Sequence, residues 1–471
     1  AAIALLLAGR SVCVVEAREV AGGGLHSIEE RGFIVDECSA IHPMGVLSPF
    51  FRTLELPRHG LTFCAGDSSV AHPFVDRPAA ILFRDFDRTA ERLSSSDGKA
   101  WRRIFEPLLP RSQDLLLDLM GPLNLWPRHL PSLLRFAWLS RRSALGFGRA
   151  HFEGIEARAL FSGLSSHSIL PLEMPLTAAF GMIFGLSGHL VDWPCAQGGS
   201  QKIAQALVRK FESLGGELRL GEHIHRLADL PPSRVVLFDL APKNLVSIAG
   251  DAFSPGYRRR LLRYRYGPGT FKIDWTLSES IPWKDPAVRR ASTVHVGGSD
   301  VQIAASERAA YRGDVSSKPS LIVCQQSEMD PSRAPTGRHT GYAYCHVPGG
   351  FEGDLTEAME AQMERFAPGF RQIILTRRAT TPGDFESLNP NYVGGAVTGG
   401  AADWTQLFTR PVARFDPYST PDPRLFLCSA STPPGGGVHG MCGYYAARSA
   451  LKRLGGRPPQ LSQSTYAGSL S

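Results

Sequence analysis

The sequence predicts an α/β fold: a Rossmann-like domain assembled from three separated segments, interrupted by a domain of mixed or antiparallel sheet plus helices. Three observations predict it. "AAIALLLAGRSVCVVEA" reads as a helix, a short turn and a buried β-branched strand ending in Glu16, the second half of a βαβ nucleotide-binding unit. The α/β pattern resumes near residue 190 and again after residue 411. Between these pieces lie a long helical stretch and several apolar runs of strand length.

The elements follow in order. Residues 1–8 end a helix with Gly9 as C-cap, and residues 11–17 form the strand. Glycines follow at once in "VAGGGLHS", then the apolar strand "GFIVDE". Residues 56–94 are strand-like and broken by Pro and Gly, whereas 97–189 are helical and rich in Leu, Phe and Trp. In "GGSQKIAQALVRKFESLGG", Ser200 is placed to cap a helix whose apolar face is Ile203, Leu207, Phe211 and Leu214, ended by Gly215 and Gly216. Short strands are expected at 217–220 and 223–227, then a buried one in "RVVLFDL". "FKIDWTL", "STVHVGG", "SLIVCQQ" and "GYAYCHV" predict the inserted sheet, with "LTEAMEAQMERFA" an amphipathic helix against it. "RLFLCSA" is a last strand, joined through glycines to the helix "MCGYYAARSALKRL". The expected division is 1–55, 190–255 and 411–457 for the nucleotide-binding domain, and 56–189 with 256–410 for the substrate domain. The Pro/Ser/Gln-rich residues 458–471 are expected to form a disordered tail.

Composition bounds the function. The chain has 471 residues, 43% apolar and 20% charged, enough for sizeable cores. Its charge of +7 is spread along the chain, and the densest basic run, "YRRRLLRYR", reads as an amphipathic helix with a solvated basic face. No nucleic-acid module accompanies the charge, so nucleic acid is not an expected partner. Contact with an anionic membrane surface or an acidic partner is the alternative use of that run. The eight cysteines show no C-x-x-C and no metal-ligand spacing, which argues against a dithiol centre or a metal site and fits a reducing, cytoplasmic setting. No stretch is long enough to span a membrane, and "AAIALLLAG" lacks the basic flank of a signal peptide. The chain begins with Ala, and the glycine fingerprint that should precede Glu16 is not in it. An N-terminal truncation is therefore expected, with weak or no dinucleotide binding by the fragment; a stoichiometrically cofactor-bound chain would overturn this.

The chemistry-bearing residues sit at the two ends of the chain. A carboxylate after the second strand, Glu16, is placed to take ribose hydroxyls, and Gly22 and Gly23 let backbone approach a diphosphate with free N–H groups. Near the C-terminus, Gly435, Gly437 and Gly440 spell G-x-G-x-x-G. A second dinucleotide fold would need another strand and an acid further on, and only a helix and a polar tail remain. Two readings stay open: a flexible turn, or small residues that bring a helix N-terminus against a flat ligand. Asp36, His42 and Asp239 read as structural. Asn389, Asn391 and Tyr392 precede "GGAVTGG" and suggest a cavity wall, with Asn391 and Tyr392 as substrate contacts. No G-x-S-x-G, Walker A or H-E-x-x-H occurs, against hydrolase and NTPase chemistry.

Taken together, "VVEAREVAGGGLHS", "GGSQKIAQAL", "GGELRLGEHI" and "LFLCSASTPPGGGVHGMCGYYAARSAL" resemble the phytoene desaturase-like branch of the FAD-dependent amine oxidase superfamily. "RYGPGTFKIDWTLS" and "NPNYVGGAVTGGAADWTQLF" extend the likeness, which is greatest to the group of pyridine nucleotide-disulphide oxidoreductase domain-containing protein 2. The resemblance implies FAD, with Glu16 on the adenosine ribose, Ile224 holding the adenine through its backbone, and Gly22, Gly23, Gly24 and Ser27 beside the cofactor. The superfamily commonly carries Arg where this chain has Gly24, which removes one cationic diphosphate partner. It also implies that Gly435, Gly436, Gly437, Val438, His439 and Gly440 meet the flavin, where the helix N-terminus faces developing negative charge. His439 is the candidate catalytic residue, either a donor near the flavin or a helix cap. The implied activity is hydride removal from a largely apolar small molecule, with no acid–base triad. An amine or small-molecule oxidase is the first alternative, and a non-catalytic interaction protein on the same fold the second. The helices at about 101–147, with Arg141 and Arg142, suggest either a helical subdomain packed on the sheet or an apolar mouth with peripheral membrane contact; oligomeric state is left open.

Overall fold

The computed structural model describes residues 1–123 and 126–462. Its strands are β1 (Cys13–Val15), β2 (Ser27–Glu30), β3 (Phe33–Asp36), β4 (Phe63–Cys64) and β5 (Ser68–His72). Next come β6 (Ala80–Leu82), β7 (Cys195–Ala196), β8 (Glu217–Arg219), β9 (Val236–Phe238) and β10 (Gly269–Leu277). β11 (Ala291–Val296), β12 (Leu321–Cys324), β13 (His339–Val347), β14 (Ile374–Thr380) and β15 (Leu425–Leu427) complete the series.

The α/β part draws on three stretches of chain. β1 pairs in parallel with β8, and β9 in parallel with β15. The helices Ala2–Leu7, Gln201–Ser213 and Met441–Arg453 share one core, in which Ile3, Leu5, Ile203, Phe211, Met441, Tyr444 and Leu451 are buried. The expected apolar stripe of Gln201–Ser213 therefore does face inward, Leu207 and Leu214 lying at its partly buried margin. Its cap differs from expectation. The Ser200 hydroxyl makes no cap bond and instead donates to the Ser39 carbonyl at 2.6 Å. The helix start is held from outside: Asp36 Oδ1 accepts the Ser200 N–H at 2.7 Å and Ser27 Oγ accepts the Gln201 N–H at 3.2 Å. Residues 223–227 form no strand, because His225 and Arg226 turn their N–H groups to the Asp229 carboxylate instead of a neighbouring ladder.

The inserted sheet has the order β14-β10-β13-β12-β11-β5-β6 and is antiparallel except for the parallel pair β11–β5. A two-residue period divides its faces. Phe271, Ile273, Trp275, Ala343, Cys345, Val347, Val294, Val296, Leu321 and Val323 pack on the helix Thr356–Phe366. The intervening residues of the same strands, Thr270, Lys272, Tyr342, Tyr344, His346, Thr293, Ile322 and Cys324, line a cavity. Helices between Ser95 and Val191 bury Trp101, Phe105, Phe147, Phe161 and Met182 in their own core, which reaches the sheet at Val70 and Leu82.

Residues 458–462 of the expected tail are held against the body. Tyr444 Oη donates to the Pro459 carbonyl at 2.8 Å and the Ser462 N–H to the Pro49 carbonyl. Residues 463–471 lie outside the described residues.

Candidate functional site

One continuous cavity of about 1840 Å³ runs between the α/β part and the inserted sheet. It exceeds the range of about 300–1,000 Å³ common for ligand pockets. Glu16, Gly22, Gly23, Gly24, Ile224 and Gly435 through Gly440 all line it, so the two ends of the chain meet on one wall.

The N-terminal arm is built for close approach. Gly22 (φ +134°) and Gly23 (φ +55°) hold left-handed backbone, and a Cβ on Gly22 would press on the Ala204 side chain. Among the described residues, the N–H groups of Gly22, Gly23 and Gly24 have no protein acceptor. Glu16 Oε1 accepts the Arg18 N–H at 2.8 Å, which fixes the carboxylate at the cavity edge. Ile224 lines the wall with its backbone N–H and C=O unpaired among the described residues. Where the superfamily resemblance expects Arg, Gly24 meets the Tyr392 hydroxyl, which occupies the space a side chain would need.

In the C-terminal arm, Gly435 (φ +111°), Gly437 (φ +125°) and Gly440 (φ +65°) carry the chain into the helix Met441–Arg453. A side chain on Gly436 would strike Thr398, and one on Gly440 the Phe51 ring. His439 takes the capping role: its Nδ1 accepts the Met441 N–H at 3.0 Å. Burial pushes its imidazole down to about 4, so it stands neutral.

Two sequence expectations sit elsewhere. Ser27 is not on the cavity wall, because its hydroxyl is engaged by Asp36 at 2.8 Å and by Gln201. Asn391 borders the cavity, but its Oδ1 accepts the Ala241 N–H at 2.7 Å and the Asn244 amide, and its Nδ2 donates to Asn389. The Tyr392 hydroxyl thus sits against Gly24 of the glycine arm and Asn391 holds Ala241 and Asn244, while both border the same cavity as the sheet floor.

The residues that sequence reasoning missed are on that floor. Lys272 is fully buried; its Nζ donates to the Asp36 carbonyl at 2.9 Å and the Asp274 carboxylate at 2.6 Å, and lies 4.5 Å from the Tyr342 ring centroid. Burial pushes the Asp274 carboxyl up, against the pull of Lys272. Ile41, Phe180, Phe184, Trp193, Ile322 and Tyr344 make the adjoining wall largely apolar. Strand alternation in "FKID" and "YAYCHV" was the available signal: the residues skipped by the apolar period point to the other face.

Beneath this floor, Arg333 is fully buried between Asp36 (2.8 Å) and Asp330 (3.1 Å) and donates to the Ala196 carbonyl. Asp330 also accepts the Gly198 N–H, so the cluster fastens the α/β part to the inserted sheet. Burial acts to raise the Asp36 carboxyl, but Arg333, Ser200 and Ser27 outweigh it and hold it below the usual carboxylate range. The eight cysteines are free thiols.

Two glycine arms face a mixed-sheet floor across one cavity, and the chain is an FAD-dependent oxidoreductase. The chain belongs to the flavin containing amine oxidoreductase family, which it matches over residues 1–252. It is 24% identical to pyridine nucleotide-disulfide oxidoreductase domain-containing protein 2 of Rattus norvegicus, over 95% of this chain and 90% of that protein. It is 26% identical to a phytoene dehydrogenase of Streptomyces griseus, over 74% of this chain and 70% of that one. The fold of an oxidoreductase from Methanosarcina mazei matches with a TM-score of 0.62 at 15% identity, covering 96% of each chain.

Proposed function

We propose that the FAD lies along the cavity wall with its adenosine ribose at Glu16, its adenine at the Ile224 backbone and its diphosphate at Gly22–Gly24. Gly435–Gly440 and the N-terminus of Met441–Arg453 then meet the flavin ring. FAD, when bound there, supplies the hydride acceptor. The substrate is a largely apolar small molecule held against Phe180, Phe184, Trp193, Ile322 and Tyr344. The observation that carries this reading is the continuity of the glycine-lined wall with that apolar floor in a single cavity.

The chain's own contribution is position and dielectric. His439 is neutral and committed to its helix cap, and Lys272 is tied to Asp274, so neither is free as a general base. This suits removal of hydride from carbon. The test is anaerobic mixing of the FAD-loaded protein with a polyene, an acyl lipid and an amine, reading loss of oxidised-flavin absorbance. Bleaching by the polyene or lipid is expected; bleaching by the amine alone would establish the amine-oxidase alternative.

Entry from a membrane surface is part of the proposal. Among the described residues no helix is long and apolar enough to cross a membrane. The helix Leu130–Ser140, however, turns Leu130, Leu134 and Trp138 outward at four-residue spacing, Trp138 being 66% exposed, and Arg141 stacks on Trp138 at 3.8 Å. Leu123 and Trp126 are likewise exposed. Such a stripe beside arginines suits shallow insertion among anionic headgroups. The helix packs on Thr177–Val191, whose Phe180 and Phe184 line the cavity. Co-sedimentation with anionic liposomes at low salt is expected and should fall about tenfold for Leu134→Ser with Trp138→Ser; equal sedimentation of both proteins would refute the surface.

A further inference from the structure

The apolar floor ends in a polar corner that the reading above does not use. Two imidazoles, His167 and His346, line the cavity there, and each is held by a buried partner behind it. His167 Nε2 lies 3.0 Å from His295 Nε2, and His346 Nδ1 lies 2.7 Å from Glu307 Oε2. His295, His346 and Glu307 are 2%, 7% and 3% exposed. Thr270 pairs with His346 in the β10–β13 register and lines the same wall.

The partners fix the protons. His295 Nδ1 is buried against Gly163 without a partner, and an orphaned buried N–H is rarer than an orphaned acceptor. The His295 proton therefore sits on Nε2 and is donated to His167 Nε2. His167 is left with its hydrogen on Nδ1. A carboxylate only accepts, so His346 donates from Nδ1 to Glu307, and in the neutral imidazole Nε2 is then an acceptor. Among the described residues, neither His167 Nδ1 nor His346 Nε2 has a protein partner. Burial, and then the nearby His346, push His167 down to about 3, so it presents a neutral donor.

We infer that this corner reads a neutral oxygen function, a hydroxyl above all, at one end of an otherwise apolar substrate. A hydroxyl accepts from His167 Nδ1–H and donates to His346 Nε2 at once. An alkane leaves both imidazoles unpaired, an ammonium finds no acceptor at His167, and a carboxylate meets a lone pair at His346. Phe184 and Trp193, whose ring centroids lie 4.8 and 5.4 Å from that of His167, cover the corner with apolar surface. The inference rests on the proposed apolar-substrate reading and narrows it from hydrocarbons in general to oxygenated ones.

The test measures binding to the full chain by equilibrium dialysis, without turnover, using dodecane, dodecanol, dodecanoate and dodecylamine. Dodecanol is expected to bind about tenfold or more tightly than each of the others, the value of one or two buried hydrogen bonds. His167→Phe and His346→Gln should each remove about that factor for dodecanol and leave dodecane binding unchanged. H346Q keeps a donor towards Glu307, and thermal unfolding reports whether each variant is folded. The wild-type series decides the matter even where a variant fails to fold. Equal binding of dodecane and dodecanol, or preference for either charged chain, overturns the polar corner while leaving the apolar cavity standing. Absence of binding by all four overturns the apolar reading and this inference with it.

Discussion

Tyr392 and Gly24 show how much a single contact decides. With the Tyr392 hydroxyl in the space of the missing side chain, Gly24→Ala is expected to cost about 1–3 kcal/mol through overpacking. The double variant with Tyr392→Phe should recover most of it, as read by chemical denaturation; additive losses would refute the contact. Arg333 makes a second residue-scale case. Arg333→Met leaves Asp36 and Asp330 buried without their counter-ion and should cost about 3–5 kcal/mol at neutral pH. Because the folded Asp36 carboxyl is depressed, its stabilising effect is fully present above the unfolded carboxylate pKa and is lost as pH falls through the lower folded value. The gap between wild type and variant should therefore narrow as the solution is acidified below about pH 4. A gap constant with pH would show that the cluster is not held by charge.

Among the elements, Gln201–Ser213 is the clearest instance of a helix secured by its neighbours. Its apolar face and glycine stop are local properties, but its cap comes from Ser27 and Asp36 on β2 and β3. Ser27→Ala should cost about 1 kcal/mol, the usual value of a cap, whereas Ser200→Ala acts through the Ser39 and His42 contacts. Restoration of full stability by Ser27→Thr would support the capping role. The helix Met441–Arg453 is the contrasting case, its first N–H taken by His439 immediately before it.

For the whole molecule, the cavity couples cofactor to stability. On the proposed placement, FAD at a hundred times its dissociation constant should raise unfolding free energy by about 2.7 kcal/mol. Glu16→Ala should weaken FAD by about tenfold and leave cofactor-free stability unchanged, since Glu16 accepts one local hydrogen bond and lies at the cavity edge. Thermal unfolding with and without FAD checks both statements. A Glu16→Ala chain with undiminished FAD response would move the ribose elsewhere on the wall.

Much of this was legible along the chain, because helix and strand periods, glycine stops and a terminal acid are local signals. They located β1, Gln201–Ser213, β9 and the four strands β10 to β13 of the inserted sheet, though not its edge strand β14, and they singled out both glycine arms. The strand expected at 223–227 failed for a reason no period carries: the Asp229 carboxylate captures the backbone there. The substrate floor was hidden for another reason. Lys272, Tyr344 and Ile322 belong to three strands and become neighbours only through the register of β10, β13 and β12. The sequence by itself determined which residues alternate, which turns demand glycine and which segments are apolar, since each depends on residues a few positions apart. Only the tertiary structure decided that the two ends of the chain share one wall, that Ser27 and Asn391 are spent as braces, and that paired imidazoles close the floor. Those outcomes depend on strand pairing and burial between residues that are far apart in the chain.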